Sequence, residues 1–357
     1  MTADIPAKMK AAAYDGSPEI KLIEADMPQP GPKEALLKVH AAGICGTDLR
    51  ILHSGHRRIP DGTMRILGHE LSGEIAAVGS ELDWPEVGMR ASVAPNMGCG
   101  HCGECVQGST QLCQNYFSFG VVIDGAFAEY MLLPQAAMDQ GNLFEIPEGM
   151  SFEEAAVAEP LACAYHGYMA CRPSPGERVL VVGVGPIGLM FVQLAKALGA
   201  GQVIVSSTND ARGRQAREYG ADLSINPKKE DLEQAVLAAT GGEGVDIAIV
   251  AAPSPEAQTQ AVELLAYHGR LNFFGGLPVE HEMVPINANR VHYRELYLTG
   301  TTGSSVKEYR ATMDLIARGR VDVASLISHR FPLSQAAEAV KFARSKQGLK
   351  TLILPHE

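Results

Sequence analysis

The stretch RVLVVGVGPIGLMFVQLAKALGA, residues 178–200, constrains the fold more than any other part of the chain. Arg178–Val182 is a short continuous apolar run, the pattern of a strand buried on both faces of a parallel sheet. Gly183-Val184-Gly185-Pro186-Ile187-Gly188 follows with the spacing G-x-G-x-x-G, and a helical apolar pattern runs on to Gly199. The motif is weak alone; between a strand and a helix it predicts a dinucleotide site. Gly183 permits the tight turn, Gly185 lets a pyrophosphate reach the backbone, and Gly188 lets the helix pack on the strand. Pro186 and Ile187 open a helix whose free N–H groups and dipole attract the anion. Strands and helices continue to alternate through QVIVSS (202–207), a helix to Tyr219-Gly220, the amphipathic DLEQAVLAATGG, VDIAIV (245–250), a helix to about Tyr267, and RLNFFGG (270–276). This succession predicts an α/β, doubly wound parallel sheet.

The residues before about 150 read differently. ALLKVH (35–40), HELSGEIAAV (69–78) and AFAEYMLLP (126–134) are short β-patterned runs between Gly and Pro, which suggests a small β-barrel domain. Ser151 and Glu154 form a capping-box pair ahead of EEAAVAEPLACAYHGYMA, so a helix is expected from Ser151, interrupted near Pro160. VKEYRATMDLIARG, LSQAAEAVKFARS and KTLILP follow as two helices and a last apolar run. A length of 357 residues suits two domains. The net charge of −11 argues against a nucleic-acid surface, and no run approaches the length of a membrane span. MTADIPAKMK lacks the apolar core of a signal peptide, so the expected location is cytoplasmic and reducing. There, clustered cysteines point to metal or catalysis rather than disulfides.

Four of the seven cysteines, Cys99, Cys102, Cys105 and Cys113, crowd into GCGHCGECVQGSTQLC. Two C-x-x-C steps and a returning fourth thiolate match a closed, structural zinc site. Cys45, in GICGTD, stands outside the quartet, with His69 and Glu70 in LGHE and Glu159 in AEPL as conceivable co-ligands. A thiolate, an imidazole and a carboxylate would balance Zn²⁺ and leave a position open for catalysis. The same spacing equally allows a strand-end pair at His69 and Glu70, an ordinary helix carboxylate at Glu159, and a buried small side chain at Cys45.

The combination of Cys-Gly-Thr-Asp, Gly-His-Glu, the four-cysteine lobe, Glu-Pro-Leu and the glycine-rich turn resembles the zinc-containing medium-chain alcohol dehydrogenases. The resemblance runs from GSPEIKLIEADMPQPGPKEALLKV to LSQAAEAVKFARSKQGLKTLILP, essentially the whole chain. Glu159, where ethanol-type members carry a zinc-binding cysteine, makes it most similar to the polyol (sorbitol or L-iditol type) and threonine dehydrogenase branch. The resemblance implies a GroES-like catalytic domain from residues 1–158 and 299–357, carrying the zinc lobe 96–115, and a Rossmann domain over 159–298. It implies two zinc ions per chain, one held by Cys45 and His69 with Glu70 as direct or intermittent ligand, and Glu159 as ligand or holder of bound water. Thr47 would pass the substrate proton toward solvent, and Asp48 would orient the ligands. A homodimer or homotetramer is also implied. In two places the chain departs from the family. A relay histidine is replaced by Arg50, with His53 nearby, and an NAD-selecting acid is replaced by Ser207.

The expected activity is hydride transfer between a secondary alcohol, of polyol or sugar type, and NAD(P). A threonine-type or simple secondary-alcohol dehydrogenase is the nearest alternative, and a zinc-free reductase of the same fold is disfavoured by the cysteines. A non-catalytic, redox-sensing cofactor binder is the reading from another class. Ser206, Ser207, Thr208 and Asn209 are neutral, and Arg212 and Arg214 follow, a loop that tilts the cofactor expectation toward NADP with dual use next. Asp210 remains a competitor for the ribose, and a solvated helix face is the bland account of both arginines.

Overall fold

A computed structural model describes residues 5–357; the start of the N-terminal segment weighed above as a leader, residues 1–4, lies outside them. The chain divides into two compact units, one comprising residues up to Ala162 together with Ser304–Glu357, the other Cys163–Gly303. These junctions lie a few residues downstream of the sequence-based 158/159 and 298/299, because the helix Ala158–Ala170 straddles the first of them.

In the central unit six parallel strands stack in the order Leu223–Ile225, Gln202–Ser206, Arg178–Val182, Val245–Val250, Leu265–Phe273 and Tyr297–Gly300. Numbered along the chain this is the 3-2-1-4-5-6 arrangement of a dinucleotide-binding sheet. The central strands are buried along nearly their whole length, as continuous apolar runs require. One expectation needs correcting. The helix expected to reach Tyr267 is Pro255–Glu263, and the next strand already begins at Leu265. His268 sits there at φ 58° before Gly269, an irregularity that hides the strand's β-alternation.

The other unit is built on mostly antiparallel sheets, with Ile327–Pro332 and Lys350–Leu354 paired in parallel. A seven-stranded sheet orders Leu143–Glu145, Arg90–Val93, Glu70–Val78, Ala35–Gly43, Lys350–Leu354 and Ile327–Pro332, with Tyr130–Leu133 also paired to Ala35–Gly43. Lys21–Asp26, Lys8–Tyr14 and Arg65–Ile66 form a second sheet. Leu36, Leu37, Leu71, Ile75, Phe119 and Phe127 are among the side chains closed off from water between them. The returning C-terminal segment is tied in by Tyr309, whose hydroxyl is 2.6 Å from Ser92 Oγ. Ser151 caps the helix Phe152–Ala156 as the sequence predicted, but the chain breaks at Val157, not at Pro160. Pro160 lies in the first turn of Ala158–Ala170, where its missing N–H removes no helical bond.

His40 reports on the acid stability of this unit. Its ring stacks on Phe152 at 4.2 Å and its Nε2 is buried without a hydrogen-bond partner. Burial, then the neighbouring His356 and Lys38, with Arg90 opposing Glu74, hold its pKa below the ordinary 6.5. As the pH falls through 6.5 the unfolded chain takes up a proton that the folded chain refuses, so stability is lost on acidification. Melting temperatures at pH 7 and pH 5 check this. His40→Phe, which keeps the stacked ring and removes the proton acceptor, is expected to reduce the drop; an unchanged drop removes His40 from the account.

Candidate active site

Two loops that leave the antiparallel sheet meet at Cys45. The strand Ala35–Gly43 runs through Ile44 into Cys45, which N-caps the helix Gly46–Ser54 with extended backbone (φ −100°, ψ 156°). Asp48, fully buried in the first turn, accepts the Cys45 N–H at 2.8 Å through Oδ2. Its other oxygen lies 3.4 Å from the Gly68 N–H and 3.6 Å from His69 Nδ1. One carboxylate therefore fixes both loops. The sulfur of Cys45, a ring nitrogen of His69 and a carboxylate oxygen of Glu70 lie within 4.8 Å of one another. His69 Nδ1 and Glu70 Oε1 are buried with no hydrogen-bond partner, an arrangement that costs about 1–3 kcal/mol per group unless something satisfies it. Burial opposes protonation of His69, yet Cys45 and Asp48 hold its pKa well above the ordinary value, so the pocket attracts positive charge. Sulfur, nitrogen and oxygen donors at this separation fit a zinc ion.

Glu159 begins the helix Ala158–Ala170 and is buried, but it stands outside that three-residue group. Thr47 is half-buried in the first turn of its helix; Arg50 and His53, each three residues further on, are exposed along the same side. Sequence reasoning missed Lys350. It is 5% exposed, its ammonium pairs with Glu70 Oε2, and it donates to the Ile44 carbonyl at 2.9 Å. Burial pushes its pKa down, but Glu70, Cys45 and Glu159 more than reverse this. The available signal was a lysine opening the otherwise apolar KTLIL, a run with no other reason to carry a charge inward.

The second cysteine group is local. Cys99, Cys102, Cys105 and Cys113 converge within 4.8 Å between two short paired strands, Asn96–Met97 and Phe117–Ser118. Cys102 Sγ is 3.7 Å from Cys113 Sγ, and Cys113 also accepts the Cys99 N–H at 3.4 Å. Backbone N–H groups of His101 and Cys102 draw Cys99 down to about 6, which favours the thiolate a metal needs. Four sulfurs leave zinc no open position, so this site is suited to structure alone.

In the parallel sheet, Gly183 turns at φ 93°, and a Cβ on Gly188 would lie 2.0 Å from the Gly183 carbonyl. Gly185 N-caps the helix Pro186–Ala197, and a Cβ there would meet nothing within 4 Å, leaving room for a ligand at Pro186, Ile187 and Gly188. Beyond the next strand, Ser207 is buried and its hydroxyl donates to the Asn209 carbonyl at 3.0 Å. Asn209 Oδ1 caps the following helix through the Ala211 and Arg212 N–H groups. Asp210 is engaged by Lys229 and by Asn226 at 2.6 Å, and the Lys229 bond, then Asn226, holds its carboxyl below the ordinary range. Thr208 and Arg214 are exposed and Arg212 is half-buried. In INANRVHYREL (286–296), Arg290 donates to Val262 O at 3.2 Å and Arg294 to Leu265 O at 2.8 Å.

Comparison with known proteins decides what this arrangement belongs to. Residues 31–147 match the alcohol dehydrogenase GroES-like domain, and residues 186–318 match the zinc-binding dehydrogenase family. The chain is a zinc-binding dehydrogenase of the medium-chain alcohol dehydrogenase superfamily. It is 35% identical to a sorbitol dehydrogenase of Bacillus subtilis over the full length of both. It is equally 35% identical to an L-threonine 3-dehydrogenase of the same organism, over 98% of this chain and 99% of that one. A Sinorhizobium meliloti structure assigned to the zinc-binding dehydrogenases and bound to NADP superposes with a TM-score of 0.90, at 33% identity, over 98% of this chain and all of the other. This dehydrogenase thus combines a GroES-like unit with a Rossmann unit and acts on a small-molecule alcohol.

Proposed function

We propose that the dehydrogenase oxidises a secondary alcohol of polyol or sugar-alcohol type, with NAD(P)⁺ as hydride acceptor, at the Cys45–His69–Glu70 group. The observation that carries this reading is the convergence of three different donor atoms within 4.8 Å, two of them on buried residues with polar atoms unpartnered. The alcohol loses a hydride from carbon and a proton from oxygen, giving a ketone, reduced nicotinamide and a released proton. Bound zinc supplies the Lewis acidity that makes the hydroxyl acidic near neutral pH. Cys45 and His69 would hold it, with Glu70, paired with Lys350, as a further donor. Asp48 keeps both ligands aligned through its bonds to the Cys45 and Gly68 N–H groups. Thr47 takes the hydroxyl proton and passes it toward solvent. Glu159 adds negative charge beside Lys350. Gly183, Gly185 and Gly188 cradle the pyrophosphate at the start of Pro186–Ala197.

The similarity to sorbitol dehydrogenase favours a polyol, and the equal identity to L-threonine 3-dehydrogenase keeps a hydroxy amino acid as the second reading. Initial rates of nicotinamide reduction across polyols, sugars, L-threonine and simple secondary alcohols, with both cofactors, separate them. Turnover of L-threonine above every polyol overturns the first.

NADP is the favoured cofactor. Asp210 is held by Lys229 and Asn226, and the residue directly after the second strand is the neutral Ser207, with Arg212 in the following helix. Ser207→Asp is expected to shift the kcat/KM ratio toward NAD by placing a carboxylate where a 2′-phosphate would sit. A wild-type preference for NAD above about tenfold, ~1.4 kcal/mol, overturns this reading. A homo-oligomer is supported by Tyr267, Tyr293 and Tyr297, exposed by 67%, 73% and 58% around the edge strand Tyr297–Gly300. The grouping of Cys99, Cys102, Cys105 and Cys113 around one point, suited to a metal rather than to disulfides, supports a reducing, cytoplasmic location.

A further inference from the structure

Three neighbouring strands build one feature that the reaction above does not require. Gly43, at the end of Ala35–Gly43, pairs with Glu70 on one side and with Leu352 on the other. Lys350, two residues before Leu352 and so on the same sheet face, reaches across Gly43 to Glu70 Oε2. The crossing exists only because residue 43 has no side chain. A Cβ there would lie 2.1 Å from Glu70 Oε2 and 2.9 Å from Lys350 Cε. The same ammonium donates to the carbonyl of Ile44, the residue preceding Cys45, at 2.9 Å. Lys350 is thereby clamped to both loops that supply metal donors, and its ammonium faces Glu70, Cys45 and Glu159.

We propose that Lys350 is a positioning residue that withholds one oxygen of Glu70 from the metal. Glu70 then offers a single oxygen, stays exchangeable, and holds zinc less tightly than a free carboxylate would. The inference rests on the metal reading of the Cys45 group. Because removing Lys350 frees the second Glu70 oxygen for the metal, it strengthens zinc binding; because the ammonium also balances buried anions, removing it weakens the metal-free protein.

The experiment follows zinc release to an excess of chelator, with metal content measured first. Wild type holding two zinc ions per chain, and Cys45→Ser holding one, establishes the metal reading; a wild type that holds only the lobe zinc ends that reading rather than this inference. Given two ions, Lys350→Met is expected to slow release of the more labile zinc by about tenfold or more, and to lower the melting temperature of the stripped protein but not of the loaded one. Lys350→Arg keeps the charge and stays near wild type. Should Lys350→Met not fold, the comparison moves to Glu70→Gln with and without Lys350→Met, where the double variant strands neither member of the buried pair. The two are expected to release zinc at equal rates, because Lys350 acts through the Glu70 carboxylate. Release from Lys350→Met as fast as wild type, or a tenfold difference between the two Glu70→Gln proteins, overturns the proposal.

Discussion

Cys45→Ser yields a folded protein with one zinc per chain and a turnover lower by roughly 10³-fold or more. A serine hydroxyl does not ionise near neutral pH, so the site loses its sulfur donor and one negative charge together. Losing the metal's Lewis acidity removes several kcal/mol of charge stabilisation, and ~4 kcal/mol is a factor of about 10³. The fold survives because the bond that Asp48 accepts at this position comes from the backbone N–H of residue 45, which serine retains. Metal analysis beside kcat, on protein with an unchanged melting curve, checks both halves of the expectation. Wild-type turnover in a protein shown to have lost the second zinc rules out the catalytic assignment of Cys45.

Cys102→Ser produces the opposite pattern. The lobe that carries it has little else to hold it: the helix Gly103–Val106 is a single turn with no buried residue, and Val106 and Leu112 are exposed by 77% and 51%. Zinc bound there is folding free energy, because the four sulfurs are not assembled in an unfolded chain. The variant is expected to lose the lobe zinc and to melt at least about 5 °C lower, on a scale of ~2–4 °C per kcal/mol for domains of this size. Proteolysis begins within the lobe, and residual kcat at low temperature stays closer to wild type than in Cys45→Ser. A melting temperature equal to wild type in protein lacking that zinc shows the lobe to be self-supporting.

What the sequence made legible was local. Gly183–Gly188 sits between its strand and its helix, and the four lobe cysteines fall within fifteen residues, so contiguous text carries both. Cys45 and His69–Glu70 were recognisable as chemistry, but their convergence depends on Asp48 bridging two loops. Lys350 was illegible for a different reason. It meets Ile44 across 306 residues of chain, and nothing in KTLIL tells which strand it will lie beside. Gly43 was equally silent, since its need to be glycine arises only from two side chains crossing over it. The break at Val157 and the strand opening at Leu265 escape a sequence reading because packing, and not a proline or a local apolar pattern, sets where these elements end.

The strand Lys350–Leu354, inserted between Ala35–Gly43 and Ile327–Pro332, gives the two metal groups different birth dates during synthesis. The lobe sulfurs are all available once the ribosome has passed Cys113, and the loop can close on a metal while the rest of the enzyme is still being made. The Cys45 group must wait. Its sheet lacks an interior strand, and Glu70 its buried counter-charge, until residue 354 has left the ribosome. On the proposed assignment, a nascent chain can close its scaffolding site before the strand that completes the Cys45 group has been made.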